Sequence, residues 1–419
     1  MFNNLQKVYV IDEIMGRGKT TAMIRHINEA PDDERFLFIT PLLTETERIT
    51  QSCPEREFYE PEAEGGKLNH IKEAITQNRN ISSTHALFSM LDDEAIELLR
   101  AADYTLVIDE VPCAITMMDI TPSDAKNINA NHTDTLDDGR IIWTDTMYDG
   151  RYNSYRESIE RGYVFKYNDA NFVTVMPLEL FTAFNKVYIM TYMFEHQIQR
   201  CYFDLHGIKY DRLYVGGTSQ DDFHIVNEPV ALPPMPYDKL IHICENKKMN
   251  EIGNGFYSLS KNFYVKRIKK GSPDTERLRK NCMNYVRNIC KAKSIDVLWT
   301  TFKQDEMHNI DWQALLGSKG YSTRFLSCTA KGTNDYRNCY VLMYLINRFA
   351  NASIYNFLHS HGVNLDQDMF ALSEMLQWIW RSAIRDGKEV WIYVPSERMR
   401  ALLENWIKEV SRNREADSL

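Results

Sequence analysis

The chain has 419 residues, enough for two or three domains with cores of their own. Its 49 Lys and Arg against 58 Asp and Glu leave a net charge of −9, and with 44% apolar and 26% charged residues it reads as an ordinary globular protein rather than a small stapled scaffold. No apolar run approaches the roughly 18 residues of a membrane helix, the start MFNNLQKVYVIDE lacks a secretory layout, and the eight cysteines show no CxxC or zinc-type spacing. A protein of the cytoplasm without a membrane partner or metal clip is therefore expected.

In chain order, LQKVYVID is apolar and β-branched and runs into EIMGRGKTTAMIRHI, predicting strand, Gly-containing loop and helix, as a mononucleotide-binding unit begins. RFLFIT, ending at Pro41, predicts a second strand, and YTLVI before Asp109 a third. Helical patterns lie between them, so a parallel α/β sheet is expected. Residues 115–180, rich in Tyr, Asp and Asn, break the rhythm and read as an insertion. KVYIMT (186–191) restores a buried strand, and the prolines of EPVALPPMP place a linker over 226–245. The first domain is thus expected over 1–225 and the second over 246–419. In the latter, IDVLWTTF and EVWIYVP predict strands, SEMLQWIWRSAIR a helix and RMRALLENWIKEV an amphipathic terminal helix. Between Lys261 and Lys293 eleven basic residues face only Asp274 and Glu276, with Phe263, Tyr264 and Tyr285 interleaved. This stretch is either a phosphate-tracking surface with stacking groups or a solvated helix face with a linker.

Two short motifs carry chemistry. Gly16, Arg17, Gly18, Lys19, Thr20 and Thr21 sit between the first strand and helix. Glycines let backbone N–H groups curl around phosphate oxygens, Lys19 reaches the β and γ phosphates, and the Thr20 hydroxyl can hold Mg²⁺. The full GxxxxGK[ST] pattern would have Gly at position 13, where Glu13 stands. Asp109 and Glu110 end the strand TLVIDE; Asp109 suits Mg²⁺, partly through water, and Glu110 suits orientation or deprotonation of an attacking water.

The box DEVP (109–112) behind MGRGKTT resembles the second signature of superfamily 2 helicases of the DEAD and DEAH type. Further matches follow in order: Thr40 and Pro41 in ITPLLTETERI, Thr84 and His85 in STHALF, MTYMF (190–194) at the coupling motif, LWTTFK (298–303) with Thr301 at motif IV, KGTN (331–334) with Gly332, Thr333 and Asn334 at motif V, and QWIWRSAIR (377–385) at motif VI. The wording STHALF, TYMFE, KGTNDYRN and QWIWRSAIRDG is similar to helicase-like proteins of tailed bacteriophages, over about residues 8 to 410.

The resemblance implies two RecA-like parallel-sheet P-loop domains in tandem, with an insertion on the first. It implies ATP and Mg²⁺ as cofactors, with Gly332 beside the nucleotide and Glu110, Gln377, Arg381 and Arg385 as catalytic residues. It further implies single-stranded or branched nucleic acid, DNA before RNA, across Thr40, Pro41, Thr84, His85, Thr301, Thr333 and Asn334. If QWIWRSAIR is helical, Arg381 and Arg385 project from one face, and one is the arginine finger. Motif VI departs from the usual QxxGRxxR and motif III lacks SAT, so the finger and the coupling residue are not assigned. Thr40 and Thr84 equally suit helix caps. Two functions stay open: an ATP-driven translocase or helicase in phage replication or recombination, partnered by phage replication proteins, and a nucleotide-dependent scaffold or motor subunit of a phage replication or packaging assembly that separates no strands.

Overall fold

A computed structural model describes residues 7–62, 66–230, 236–305, 309–330, 332–333 and 335–416. The apolar runs fold as parallel strands because residues buried on both faces of a sheet must be covered by helices on both sides. In the first half these are β1 (Lys7–Asp12), β2 (Arg35–Thr40), β3 (Ile81–Thr84) and β4 (Tyr104–Asp109). Next come β5 (Ile115–Met117), β6 (Thr133–Thr135), β7 (Ile141–Trp143), β8 (Val164–Asn168) and β9 (Asn171–Val175), and then β10 (Lys186–Thr191), β11 (Asp211–Gly216) and β12 (His224–Val226). The main sheet has the order β12-β11-β1-β10-β4-β2-β3, parallel except for the edge strand β12. Helix Lys19–Glu29 buries Ala22, Met23 and Ile27 in a core with Ile11, Phe36, Phe38 and Val107. A fully buried Met or Ile side chain contributes about 1.5–3 kcal/mol relative to exposure, which holds this helix against the sheet.

The second sheet is formed by β13 (Ile241–Ile243), β14 (Val297–Thr300), β17 (Val341–Tyr344) and β18 (Val390–Tyr393), in the order β13-β18-β17-β14 and all parallel; β15 (Gln304–Asp305) and β16 (Ile310–Asp311) form a separate hairpin. Its core joins Val297, Trp299, Val341, Met343 and Tyr393 to Leu278, Cys282 and Tyr285 of the helix before β14. The protein is thus α/β with two parallel-rich sheets.

Contacts divide the chain into two compact units: Met1–Glu13, Gly18–Pro229 and Ala350–Leu365 in the first, Ile14–Arg17, Val230–Phe349 and Asp366–Leu419 in the second. The segment 350–365 therefore departs from an unbroken second domain. Helix Ala352–Ser360 carries an apolar face of Ile354, Phe357 and Leu358, and Phe357 meets Phe165 of the insertion with ring centroids 5.2 Å apart. Asn356 donates to the Tyr167 hydroxyl at 2.8 Å. The insertion itself is antiparallel, with β5-β9-β8 in one sheet and β6-β7 in a hairpin, around Ala125, Ile128, Ile141, Ile159 and Phe172.

The expected helix through QWIWRSAIR ends early. Helix Gln367–Ile379 stops with Trp380 as its cap, and residues Ala383–Asp386 form a separate 3₁₀ turn. Arg381 and Ser382 donate to carbonyls only three residues back, the Ser382 hydroxyl also donates to the Ile379 carbonyl at 2.6 Å, and the Ala383 N–H leaves the helix for the Cys339 carbonyl at 3.0 Å. Arg381 and Arg385 consequently do not share one helical face.

Candidate functional site

In a parallel sheet with helices on its faces, groups that bind ligands gather at the carboxyl ends of the strands. β1 and β4 flank β10, with Asp12 opposite Thr191 and Asp109 opposite Met190. Residues 97 positions apart in sequence thereby end at one sheet edge. The turn after β1 returns through Gly18, whose φ of 82° is left-handed and which directly precedes helix Lys19–Glu29. A Cβ at Gly18 would lie 2.2 Å from the ring of Phe223, so both the backbone conformation and the space require glycine.

This turn brings the two sequence motifs together. The Thr20 hydroxyl donates to Asp109 Oδ2 at 3.1 Å, and the Lys19 ammonium donates to the Glu13 carbonyl at 2.5 Å. Loss of surrounding water lowers Lys19 to about 8, against the pull of Asp109, Asp12, Glu13 and Glu110. Burial raises Asp109 to about 6; the neighbouring Glu110 charge adds to this, whereas Lys19 and the Thr20 hydroxyl oppose it. Glu110 has a left-handed backbone, φ 56°, its N–H donates to the Met190 carbonyl at 3.0 Å, and its Oε2 is shielded from solvent. A non-glycine residue held at positive φ costs of order 1 kcal/mol or more and persists only where the surroundings impose it.

Hydroxyl and carboxylate oxygens are the donors a hard cation takes, and Mg²⁺ usually keeps one or two protein ligands and completes its shell with phosphate and water. Thr20 and Asp109 fit that requirement. Among the described residues there is no group of three or more His, Cys, Asp or Glu side chains placed for a metal.

The remaining expected residues fall in different settings. Gly16 is exposed with φ 83°; Arg17 follows it, its N–H on the Ile14 carbonyl at 3.3 Å, and Thr21 lies in the first helical turn. Thr40 is fully enclosed at the end of β2, with Pro41 half-buried after it. Thr84 caps helix His85–Phe88, accepting from the Leu87 N–H at 3.4 Å. His85 Nε2 lies 3.0 Å from the Asp109 carbonyl oxygen. Thr301 is buried and donates to the Tyr264 hydroxyl at 2.9 Å, a core position that does not present it to a strand. Gly332 has φ 72°, the Thr333 hydroxyl donates to Asp335 at 3.0 Å, and Asn334 lies outside the described residues. Gln377 is half-buried in helix Gln367–Ile379, Arg381 is buried in the turn after it, and Arg385 is half-buried in the 3₁₀ turn.

Sequence reading missed Asp12. Both of its carboxylate oxygens accept backbone N–H groups, from Met193 at 2.6 Å and Phe194 at 3.0 Å, which ties the MTYMF turn to the end of β1. Burial raises its pKa although these two bonds oppose the shift. The signal was available: Val-Ile-Asp-Glu occurs at 10–13 as well as at 107–110. Phe223, packed against Gly18, had no comparable signal.

Residues 236–407 match the family described as the YonV C-terminal Rossmann-like domain. The chain is 39% identical to the SPbeta prophage-derived uncharacterized protein YonV of Bacillus subtilis (strain 168), over 96% of this chain and 99% of that one. Among solved structures it is similar to S. tokodaii Xpd4 at 12% identity and a TM-score of 0.45, over 96% of this chain and 94% of the other. It is also similar to the DUF1998 helicase MrfA bound to DNA and AMPPNP, at 10% identity and a TM-score of 0.35, over 96% of this chain and 48% of the other. The expected bacteriophage kinship has its counterpart in a prophage relative, and with that identity along nearly the whole of both sequences, the chain belongs to the YonV family.

Proposed function

We propose that the protein is a nucleoside triphosphatase that couples ATP hydrolysis to movement along a nucleic-acid strand, through two RecA-like domains. The observation that carries this reading is the 3.1 Å bond between Thr20 and Asp109, beside Lys19 and Glu110 at one sheet edge. The ordered motif set of the sequence supports it.

On this reading Thr20 and Asp109 would hold Mg²⁺ and Lys19 would hold the β and γ phosphate oxygens. Mg²⁺ supplies neutralisation of phosphate charge when bound. Gly18 lets backbone N–H groups approach the phosphates, and the N-terminus of helix Lys19–Glu29 adds its dipole. Glu110 orients the attacking water and accepts its proton, a role that its constrained backbone pre-sets. Asp12 fixes the MTYMF turn by backbone bonds and is a positioning residue. Gln377, Arg381 and Arg385 are the candidates for stabilising charge on the phosphoryl group, and Pro41, His85 and Thr333 for touching the strand. His85, bonded to the Asp109 carbonyl, would link strand to nucleotide.

The deciding experiment is ATP turnover measured alone and with single-stranded DNA, duplex DNA and RNA. Turnover stimulated severalfold by a strand is the expected result, and Glu110→Gln should bind ATP without turning it over. Turnover indifferent to every nucleic acid would overturn the motor and leave a nucleotide-dependent scaffold.

A further inference from the structure

The basic stretch Lys261–Lys293 divides into halves with different surroundings. In the first, Arg267 pairs with Asp274 at 2.6 Å and lies over the Phe263 ring at 5.1 Å, and the Lys261 ammonium lies 4.6 Å from the Trp312 ring centroid. The second is helix Pro273–Asn284, capped by Ser272 and continued by a π-helical turn, Tyr285–Ile289. Its inner face buries Leu278, Cys282, Tyr285 and Val286. Its outer face, with Arg279, Lys280, Asn284, Arg287 and Asn288, lines a groove of about 500 Å³ together with Ser318.

The groove has a second wall, the loop Gly317–Gly320. Ser318 Oγ lies 3.0 Å from Met283 Sδ, and a Cβ on Gly320 would stand 3.0 Å from Met283 Sδ and 3.4 Å from Arg287 Nε. Glycine lets the loop close onto the helix. The lining carries three cations and one carboxylate, Glu276, which Arg279 meets at 3.4 Å. Among the described residues no carboxylate lies within ion-pair distance of Lys280 or Arg287, and Arg279 Nε is shielded from solvent without an acceptor. From residue 279 to 287 the stripe is about 12 Å long at 1.5 Å per residue. Side-chain amides stand among the cations, the Asn288 amide donating to Asn284 at 2.8 Å, and no aromatic ring lines the groove. An elongated stripe of cations and neutral donors without a stacking surface suits successive phosphates and no base.

We propose that this groove holds the phosphate backbone of a single nucleic-acid strand without reading its sequence. The proposal rests on the reading that the protein acts on nucleic acid, and not on the nucleotide site. The test uses the full chain without nucleotide, a labelled 30-nucleotide single-stranded DNA of mixed sequence, and titrations at several salt concentrations. The Lys280→Glu/Arg287→Glu variant should bind at least tenfold more weakly, for mixed sequence and oligo-dT alike. Its log–log salt slope should be shallower by about 1.4, the loss of two contacts at about 0.7 each on a single strand. The equal charge change Lys266→Glu/Lys270→Glu should have a clearly smaller effect, and Lys280→Arg/Arg287→Lys should restore binding. Melting temperature and unstimulated ATP turnover, unchanged in all three, show that the fold is kept. Equal weakening by both reversals, or unchanged affinity and slope in the first, overturns the groove. So does competition by poly-glutamate as effective as by unlabelled DNA at equal charge, which assigns the groove to an acidic protein. Groove-dependent binding without any strand-stimulated turnover upholds the groove and overturns the motor, whereas no binding of the single strand by the unmodified chain overturns the groove and leaves the motor to the turnover measurement.

Discussion

The tetrapeptide Val-Ile-Asp-Glu closes two parallel strands on either side of β10, at 10–13 and at 107–110, and the two ends have different chemistry. Asp12 gives both carboxylate oxygens to the N–H groups of Met193 and Phe194. Asp109 takes the Thr20 hydroxyl on one oxygen, while its own carbonyl engages His85. Glu13 follows Asp12 with its carbonyl on Lys19, whereas Glu110 is turned into the left-handed region. Identical residues at equivalent strand ends thus become a backbone brace in one case and the acceptor of a side-chain hydroxyl in the other. The deciding factor is what lies opposite: the exit of β10 presents N–H groups to Asp12, and the start of helix Lys19–Glu29 presents a hydroxyl to Asp109.

Neutralising each aspartate in turn separates the two strand ends most strongly. Asp109→Asn removes the charge beside Thr20 and should lower ATP turnover by roughly 10³-fold, the scale on which loss of one preorganised electrostatic group acts. Asp12→Asn should leave turnover within about threefold in the folded protein. Steady-state turnover of both variants at a temperature where each is folded checks this. Parallel losses would show that the two strand ends share one role.

Stability should respond in the opposite sense. In Asp12→Asn the new amide turns an N–H toward a backbone N–H, so a buried donor loses its acceptor at a cost of about 1–3 kcal/mol. Asp109→Asn removes a carboxylate that burial already holds at about 6, so it should be neutral or slightly stabilising without ligand. Denaturant unfolding of the two variants decides it, and a larger loss in Asp109→Asn than in Asp12→Asn would contradict the assignment.

The same contrast predicts a pH profile. Nucleotide capture on the proposed reading needs Asp109 ionised and Lys19 protonated, and their values of about 6 and about 8 bound the window. Apparent kcat/KM for ATP should rise tenfold per pH unit up to about 6, stay level, and fall tenfold per unit above about 8, because this ratio reports the free enzyme. A profile flat from pH 5 to 9 would remove these two groups from the site.

Much of the first sheet was legible because its strands are continuous apolar runs, and because a Gly-Lys-Thr turn after one strand and an Asp-Glu after another imply a shared edge once the sheet is parallel. The rest depended on contacts between residues far apart in sequence. That QWIWRSAIR is not one helix follows from the Ala383 N–H bonding to the Cys339 carbonyl, which nothing in the local sequence announces. Helix Ala352–Ser360 joins the first unit because Phe357 finds Phe165, a partner almost two hundred residues away. Motif order alone points to Thr301 as a strand contact, whereas its hydroxyl belongs to Tyr264 in the core. Asp12 was hidden by its twin, since the sequence does not tell which carboxylate meets backbone.

The smallest expected effect concerns Thr84, beside His85 in the STHALF segment. Its hydroxyl accepts the Leu87 N–H at 3.4 Å, a long bond at the start of a four-residue helix. Removing an N-cap side chain typically costs about 1 kcal/mol, and the length of this bond places Thr84→Ala toward 0.5 kcal/mol. Because the hydroxyl is committed to the helix start, affinity for single-stranded DNA should stay within about twofold, and Thr84→Ser should match the unmodified protein in both measurements. His85→Ala provides the contrast: it leaves the cap in place and removes the side chain bonded to the Asp109 carbonyl. Strand stimulation of ATP turnover should therefore fall more in His85→Ala than in Thr84→Ala. Paired unfolding and DNA titrations separate the roles, and a tenfold loss of DNA affinity in Thr84→Ala at unchanged stability would make Thr84 a strand contact rather than a cap.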